Sequence, residues 1–162
     1  METIQPKKYL SYRQCAEYMK TIIGQMNRDQ YVPDYIIPII RGGLTPGLYL
    51  SYHYNVPIAP IVVQLRDGNS QPSAKNFAAL DELPQHAKIL VVDDINDSGK
   101  TLHFIHQRCK DRNVRYAAML NNVQSTFKPN YIGRMIDKLQ DQDWVVFPWE
   151  EWYGQHDKNQ SV

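Results

Sequence analysis

Ile89-Leu90-Val91-Val92-Asp93-Asp94-Ile95-Asn96-Asp97-Ser98-Gly99-Lys100-Thr101 is the stretch whose reading decides the fold. Its first four residues are apolar and three of them are β-branched, the composition of a strand buried in a parallel sheet. The run stops at two adjacent carboxylates, passes through a loop holding an acid, a hydroxyl and a glycine, and turns helical over Leu102 to Lys110. A strand, a polar loop and a helix start, in that order, make a pocket. Ligands of open α/β sheets sit at the carboxyl ends of strands, and the N–H groups of a helix N-terminus suit phosphate. Three simpler readings compete. Gly99-Lys100-Thr101 ends like a Walker A loop, but Asp94 stands where that loop needs its first glycine. An apolar run ending in two acids suits a Walker B strand, yet the sequence holds no Walker A partner. An ordinary strand could also end in acids that cap the next helix.

Upstream, Tyr35-Ile36-Ile37-Pro38-Ile39-Ile40 reads as a second strand, with Pro38 removing one ladder donor near its end. Arg41-Gly42-Gly43 follows directly. Leu44-Thr45-Pro46 then predicts Thr45 as N-cap and Pro46 as first residue of a helix running to Tyr54. The glycines let backbone approach an anion, and the forked Arg41 guanidinium suits phosphate. Earlier still, Ser11 and Gln14 form a capping box. It opens a helix whose apolar residues Tyr12, Cys15, Met19, Ile22, Ile23 and Met26 recur at helical spacing and which ends near Asn27. A third strand is predicted over Ile58 to Gln64. The polar, aperiodic stretch 66–78 is a long irregular insertion of the kind that is functional or mobile in a compact domain.

Downstream, Leu102, Ile105 and Cys109 share a helical face, and Tyr116 to Leu120 reads as a strand ending at Asn121-Asn122. Phe127 to Gly133 and Trp144 to Trp152 predict short, aromatic-rich strands and turns. All three tryptophans lie here, either closing the core or an interface, or stacking a flat heterocycle. The 162 residues suit one domain, and 43% hydrophobic with 22% charged residues is ordinary for a soluble globular chain. A net charge of +1 argues against a general nucleic-acid binder. No long apolar run indicates a signal peptide or membrane span, so a cytoplasmic setting is expected. Cys15 and Cys109 read as packed thiols, and the five histidines form no ligand set.

The opening stretch resembles the phosphoribosyl pyrophosphate-binding signature of the type I phosphoribosyltransferases: four apolar residues, two acids, two residues, Asp, a hydroxyl, Gly, any residue, Thr. Arg41-Gly42-Gly43 resembles that family's short pyrophosphate loop. Lys128 to Gly133 and Trp144 to Glu150 look like the C-terminal hood of the bacterial xanthine–guanine and hypoxanthine branches. The resemblance implies an α/β fold with a mainly parallel central sheet flanked by helices and a small C-terminal hood. It implies one domain over residues 1–162, with a core of about 9–120, a flexible loop of about 65–80 and a hood of about 121–153. One departure stands out: the purine enzymes place a lysine after the strand that here ends at Leu120, whereas this chain has Asn121 and Asn122.

The implied activity is Mg²⁺-dependent transfer of phosphoribose from phosphoribosyl pyrophosphate to a nucleobase, a 6-oxopurine on the closest analogy. Asp93 and Asp94 are placed for the ribose hydroxyls and the metal, with Glu150 near it. The N–H groups from Asp97 to Thr101, including Gly99 and Lys100, and the Ser98 and Thr101 hydroxyls would hold the 5′-phosphate. Arg41, Gly42 and Gly43 would grip pyrophosphate. Asp97 would handle the proton. Asn122 would meet the base edge, Trp144 would stack on the ring and Val145 would present backbone to it. No nucleic-acid or membrane partner is expected, and a homo-oligomer (dimer or tetramer) is. The alternatives are a regulator that keeps the sugar-phosphate pocket without catalysis, and a transferase for a non-purine base.

Overall fold

The computed structural model describes residues 5–63 and 77–151. In chain order these form β1 (Lys7–Tyr9), α1 (Tyr12–Arg28), β2 (Tyr35–Ile40), α2 (Leu44–Tyr54), β3 (Ile61–Val62), α3 (Ala78–Asp81), β4 (Ile89–Asn96), α4 (Lys100–Arg108), β5 (Val114–Asn122), β6 (Tyr131–Ile136) and β7 (Trp144–Val146). Five strands make one sheet in the order β3-β2-β4-β5-β6, and every pairing in it is parallel.

Period-two alternation along the central strands divides the core into two layers. Leu90 and Val92 of β4 join Ile36, Ala117 and Met119 beneath α1 and α2, where Cys15, Met19, Ile22, Ile23, Met26 and Leu50 are buried. Ile89 and Val91 face the other way, against Leu102, Ile105 and Cys109 on the α4 side. Both cysteines are buried free thiols, as expected. The Ser11–Gln14 capping box forms in both directions, with Gln14 N–H donating to Ser11 Oγ at 3.1 Å and Ser11 N–H to Gln14 Oε1 at 2.9 Å.

Several boundaries differ from the sequence reading. α2 starts at Leu44 with Gly43 as N-cap and no side-chain cap bond, so Thr45 is not the cap and Pro46 lies inside the first turn. A proline is tolerated there because first-turn N–H groups have no helical acceptor. α4 starts at Lys100, two residues before the predicted Leu102. β3 shrinks to Ile61–Val62 plus an isolated Ile36–Ile58 bridge. Pro57 and Pro60 remove donors on that side, and the ladder breaks where Pro38 of β2 also lacks one.

Most of the irregular stretch, and Gln64 with it, lies outside the described residues. Its end does not: Phe77 and Leu80 are each 1% exposed, anchoring α3 in the core. β1 was not foreseen. It pairs in parallel with β7 to make a separate two-stranded sheet, Lys7 to Tyr9 lying against Trp144 to Val146. No described helix is long and apolar enough to cross a membrane.

Candidate active site

The path through the sheet places the site. After β2 the chain packs α2 on one face and reaches β3 at the edge, then returns to β4 on the other side of β2 and continues into α4 on the opposite face. β2 and β4 are therefore neighbours whose connections leave in opposite directions. The crevice at the carboxyl ends of such a pair is where open α/β sheets bind ligands. The 41–43 and 97–99 loops both depart from it.

The two segments touch at Gly42. A Cβ there would overlap the Asp94 carboxylate, so a residue with no side chain is what lets the first loop lie on the second strand. Gly43 N–H donates to Ile39 O at 2.8 Å and its carbonyl accepts Gly47 N–H at 2.9 Å, which ties Gly43 into the turn itself. Arg41 is exposed at the tip.

β4 carries its acids further than expected. The strand continues to Asn96 because Asp93, Ile95 and Asn96 pair with Ala118, Leu120 and Asn121 of β5. Asp93 is buried and Asp94 half-buried. Asp94 N–H donates to Asp93 Oδ1 at 2.9 Å, and Ile95 N–H to Asp94 Oδ1 at 2.7 Å. Burial pushes the Asp93 carboxyl well above the usual carboxylate range, and the Asp94 charge beside it adds to the rise. Burial raises Asp94 as well.

Two desolvated acids in contact are costly as anions, and a bound cation reverses that. An oxygen-only pair fits Mg²⁺, which takes one or two carboxylates and completes its shell with water and phosphate oxygens. Among the described residues no group of three His, Cys, Asp or Glu side chains could hold a metal, so Glu150 is not brought to the pair. Its Oε2 instead accepts Phe147 N–H at 2.7 Å and its N–H donates to Phe147 O at 3.0 Å, closing the turn after β7.

The loop into α4 turns at Gly99, whose φ of +88° is left-handed and whose added Cβ would come within 2.5 Å of Phe127 N. Ser98 and Lys100 are exposed and Thr101 half-buried at the helix start. A brace behind the loop escaped the sequence reading. Ser98 O accepts Thr126 N–H at 3.1 Å and Thr126 Oγ1–H at 2.9 Å. The buried Asn96 amide donates toward Asn121 Oδ1 at 2.7 Å, Ser125 Oγ at 2.8 Å and Phe127 O at 2.6 Å.

Asp97 projects from the same loop with both carboxylate oxygens engaged. Oδ1 accepts Asn122 Nδ2–H at 2.9 Å, and Oδ2 pairs with Lys138 Nζ at 2.9 Å. Trp144 is exposed and Val145 half-buried on β7. Val145, Lys138 and Leu120 border a cavity of about 100 Å³.

Residues 7–154 match the Phosphoribosyl transferase domain family. The chain belongs to that family. This phosphoribosyltransferase is 24% identical over 123 residues to the xanthine-guanine phosphoribosyltransferase of Roseobacter denitrificans, covering 71% of this chain and 67% of the relative. To the enzyme of the same name from Idiomarina loihiensis it is 27% identical over 132 residues, covering 78% and 75%. The solved purine phosphoribosyltransferase of Pyrococcus horikoshii superposes with a TM-score of 0.71 at 25% identity, over 90% of this chain and 95% of that one. The fold is therefore the type I phosphoribosyltransferase fold, and the chain falls in the pentosyl-transferring class of glycosyltransferases.

Proposed function

We infer that the protein makes a nucleoside monophosphate by moving phosphoribose from phosphoribosyl pyrophosphate to a 6-oxopurine. The observation that carries this reading is the contact between Gly42 and Asp94, which joins the 41–43 turn and the acid loop into one crevice at the switch point. The purine names of the relatives support the choice of base.

The Asp97–Thr101 backbone and the Ser98 and Thr101 hydroxyls bind the 5′-phosphate at the start of α4. Arg41 and the Gly42–Gly43 turn orient the pyrophosphate. Asp93 and Asp94 take the ribose hydroxyls and would hold Mg²⁺, which when bound offsets negative charge on the phosphates. Ring nitrogen N9 attacks the anomeric carbon, the bond from that carbon to the pyrophosphate oxygen breaks with its electron pair leaving on oxygen, and the Asp97 carboxylate accepts the proton from N7. Trp144 and Val145 face the ring from the hood.

Incubating the protein with phosphoribosyl pyrophosphate, Mg²⁺ and guanine, xanthine, hypoxanthine, adenine, uracil or orotate, and measuring pyrophosphate release, tests the reading. Release with the 6-oxopurines is expected. Release with a pyrimidine alone, or none with any base, would overturn it.

A further inference from the structure

We propose that Asn96, the last residue of β4, is a positioning residue for the turn that receives the 5′-phosphate. The proposal rests on the phosphoribosyl-transfer reading above and names the side chain that holds that turn in place from behind.

The β4–β5 ladder ends at the pair Asn96–Asn121. Past that pair, the chain leaving β5 for β6 runs along the 97–99 loop. Thr126 reaches Ser98 O with its N–H at 3.1 Å and its hydroxyl at 2.9 Å. A Cβ on Gly99 would come within 2.5 Å of Phe127 N and 2.7 Å of Ser125 Oγ, so residues 125–127 fix where the loop can lie. Ser98 and Thr126 are exposed, and water competes for their bonds. The buried anchor of residues 125–127 is Asn96, which is 3% exposed.

Its amide nitrogen lies 2.7 Å from Asn121 Oδ1, 2.8 Å from Ser125 Oγ and 2.6 Å from Phe127 O. A primary amide has two N–H donors, so three acceptors at this range commit it wholly to the β5–β6 connection. Ser125 closes the same turn, its hydroxyl donating to Phe127 O and its N–H to Asn122 O, each at 2.9 Å. A buried amide costs free energy unless it is bonded, and a leucine would fill a similar volume without that cost. What the amide supplies instead is the location of residues 125–127, and through them of the loop. Gly99 is the N-cap of α4 and has no side chain to bond the first-turn N–H groups, which are left for an anion. A ligand held by backbone N–H groups depends on where that backbone lies, and a displacement of about 1 Å costs on the order of 10²-fold.

The test is isothermal titration of wild type, Asn96→Leu and Ser125→Ala with ribose 5-phosphate and, separately, with pyrophosphate and Mg²⁺, with a melting curve for each variant. Ribose 5-phosphate reports on the 97–101 turn and pyrophosphate on the 41–43 turn. Asn96→Leu should weaken ribose 5-phosphate about 10–100-fold and leave pyrophosphate within about 2-fold. Ser125→Ala removes one of the three acceptors and keeps the amide, so it should weaken ribose 5-phosphate about 2–5-fold with the same selectivity. It decides the question if Asn96→Leu does not fold. Equal losses on both probes would make Asn96 a general support of the sheet, and unchanged ribose 5-phosphate affinity in the folded variants would separate it from the phosphate turn. Either result overturns the proposal, while wild-type binding of both probes leaves the transfer reading standing. A wild type that binds pyrophosphate but not ribose 5-phosphate overturns the phosphate placement and the role of Asn96 together.

Discussion

Gly42→Ala adds one methyl group at the point where the 41–43 turn meets the acids of β4. That carbon would overlap all three atoms of the Asp94 carboxylate. To restore an ordinary carbon–oxygen contact, one side must retreat by on the order of 1 Å. Asp94 is held by Ile95 N–H and flanked by Asp93, so it has little room to yield. The 41–43 turn, exposed at Arg41, is the softer partner and should move outward. A displacement of about 1 Å at a positioning group costs on the order of 10²-fold, and the strain itself costs about 1–3 kcal/mol.

The expected result is a drop of about 100-fold in kcat/KM for phosphoribosyl pyrophosphate. The melting temperature should fall by roughly 2–4 °C per kcal/mol of strain, with unfolding still cooperative. Adding Asp94→Ala removes the overlapping atoms, so the double mutant should show no further stability loss from the alanine at 42, a coupling readable as a thermodynamic cycle. Gly43→Ala is the contrast: its Cβ would meet backbone of Val92 and Ile39, so its lesion should be mainly one of stability. Wild-type affinity for phosphoribosyl pyrophosphate in Gly42→Ala, at unchanged stability, would refute the contact and the single crevice built on it.

Asp97→Asn should lower turnover about 10²–10⁴-fold and leave phosphoribosyl pyrophosphate affinity within a few-fold in a binding titration; equal turnover removes Asp97 from proton handling. The raised Asp93 and Asp94 carboxyls give a pH signature. From the ordinary value near 3.8 up to the raised folded values, the native state holds more protons than the unfolded chain, so stability falls as pH rises through that window. Asp93→Asn should flatten this decline and raise the neutral-pH melting temperature while weakening binding of the activated sugar; a lower melting temperature would count against the burial argument. Thr126→Val deletes the hydroxyl bond to Ser98 O and should raise KM for phosphoribosyl pyrophosphate about 5–10-fold, on the scale of about 1 kcal/mol, with kcat little changed. A kcat effect without a KM effect would show that the brace does not act on phosphate binding.

What the sequence disclosed was local. Ile89 to Val92 announces a buried strand by composition, Gly99 between that strand and the apolar face of Leu102 and Ile105 announces the turn into α4, and Ser11 with Gln14 announces a helix start. Each signal is written within a dozen residues. The strand character of Asp93 to Asn96 was hidden because polar side chains carry no apolar alternation; it comes from the ladder to β5. Thr45 looked like a cap, but the contact at Gly43 starts the helix two residues earlier. Lys138 and Thr126 reach the Asp97 loop across 41 and 28 residues of chain, which no spacing rule could register. Glu150 was placed at the metal by analogy, and its bonds to Phe147 hold a turn.

The β1–β7 pairing bears on the order of assembly. The strands that frame the crevice between the 41–43 and 97–99 loops lie between Tyr35 and Asn122, whereas the small sheet waits for Lys7 to find Trp144. Distant partners that contribute only three residues each close late and open early. The half of the cleft proposed to grip the donor can thus mature before the half proposed to meet the acceptor ring. Hydrogen exchange should find the Leu10 and Trp144 amides, bonded to Val146 O and Pro6 O, losing protection before those of β4.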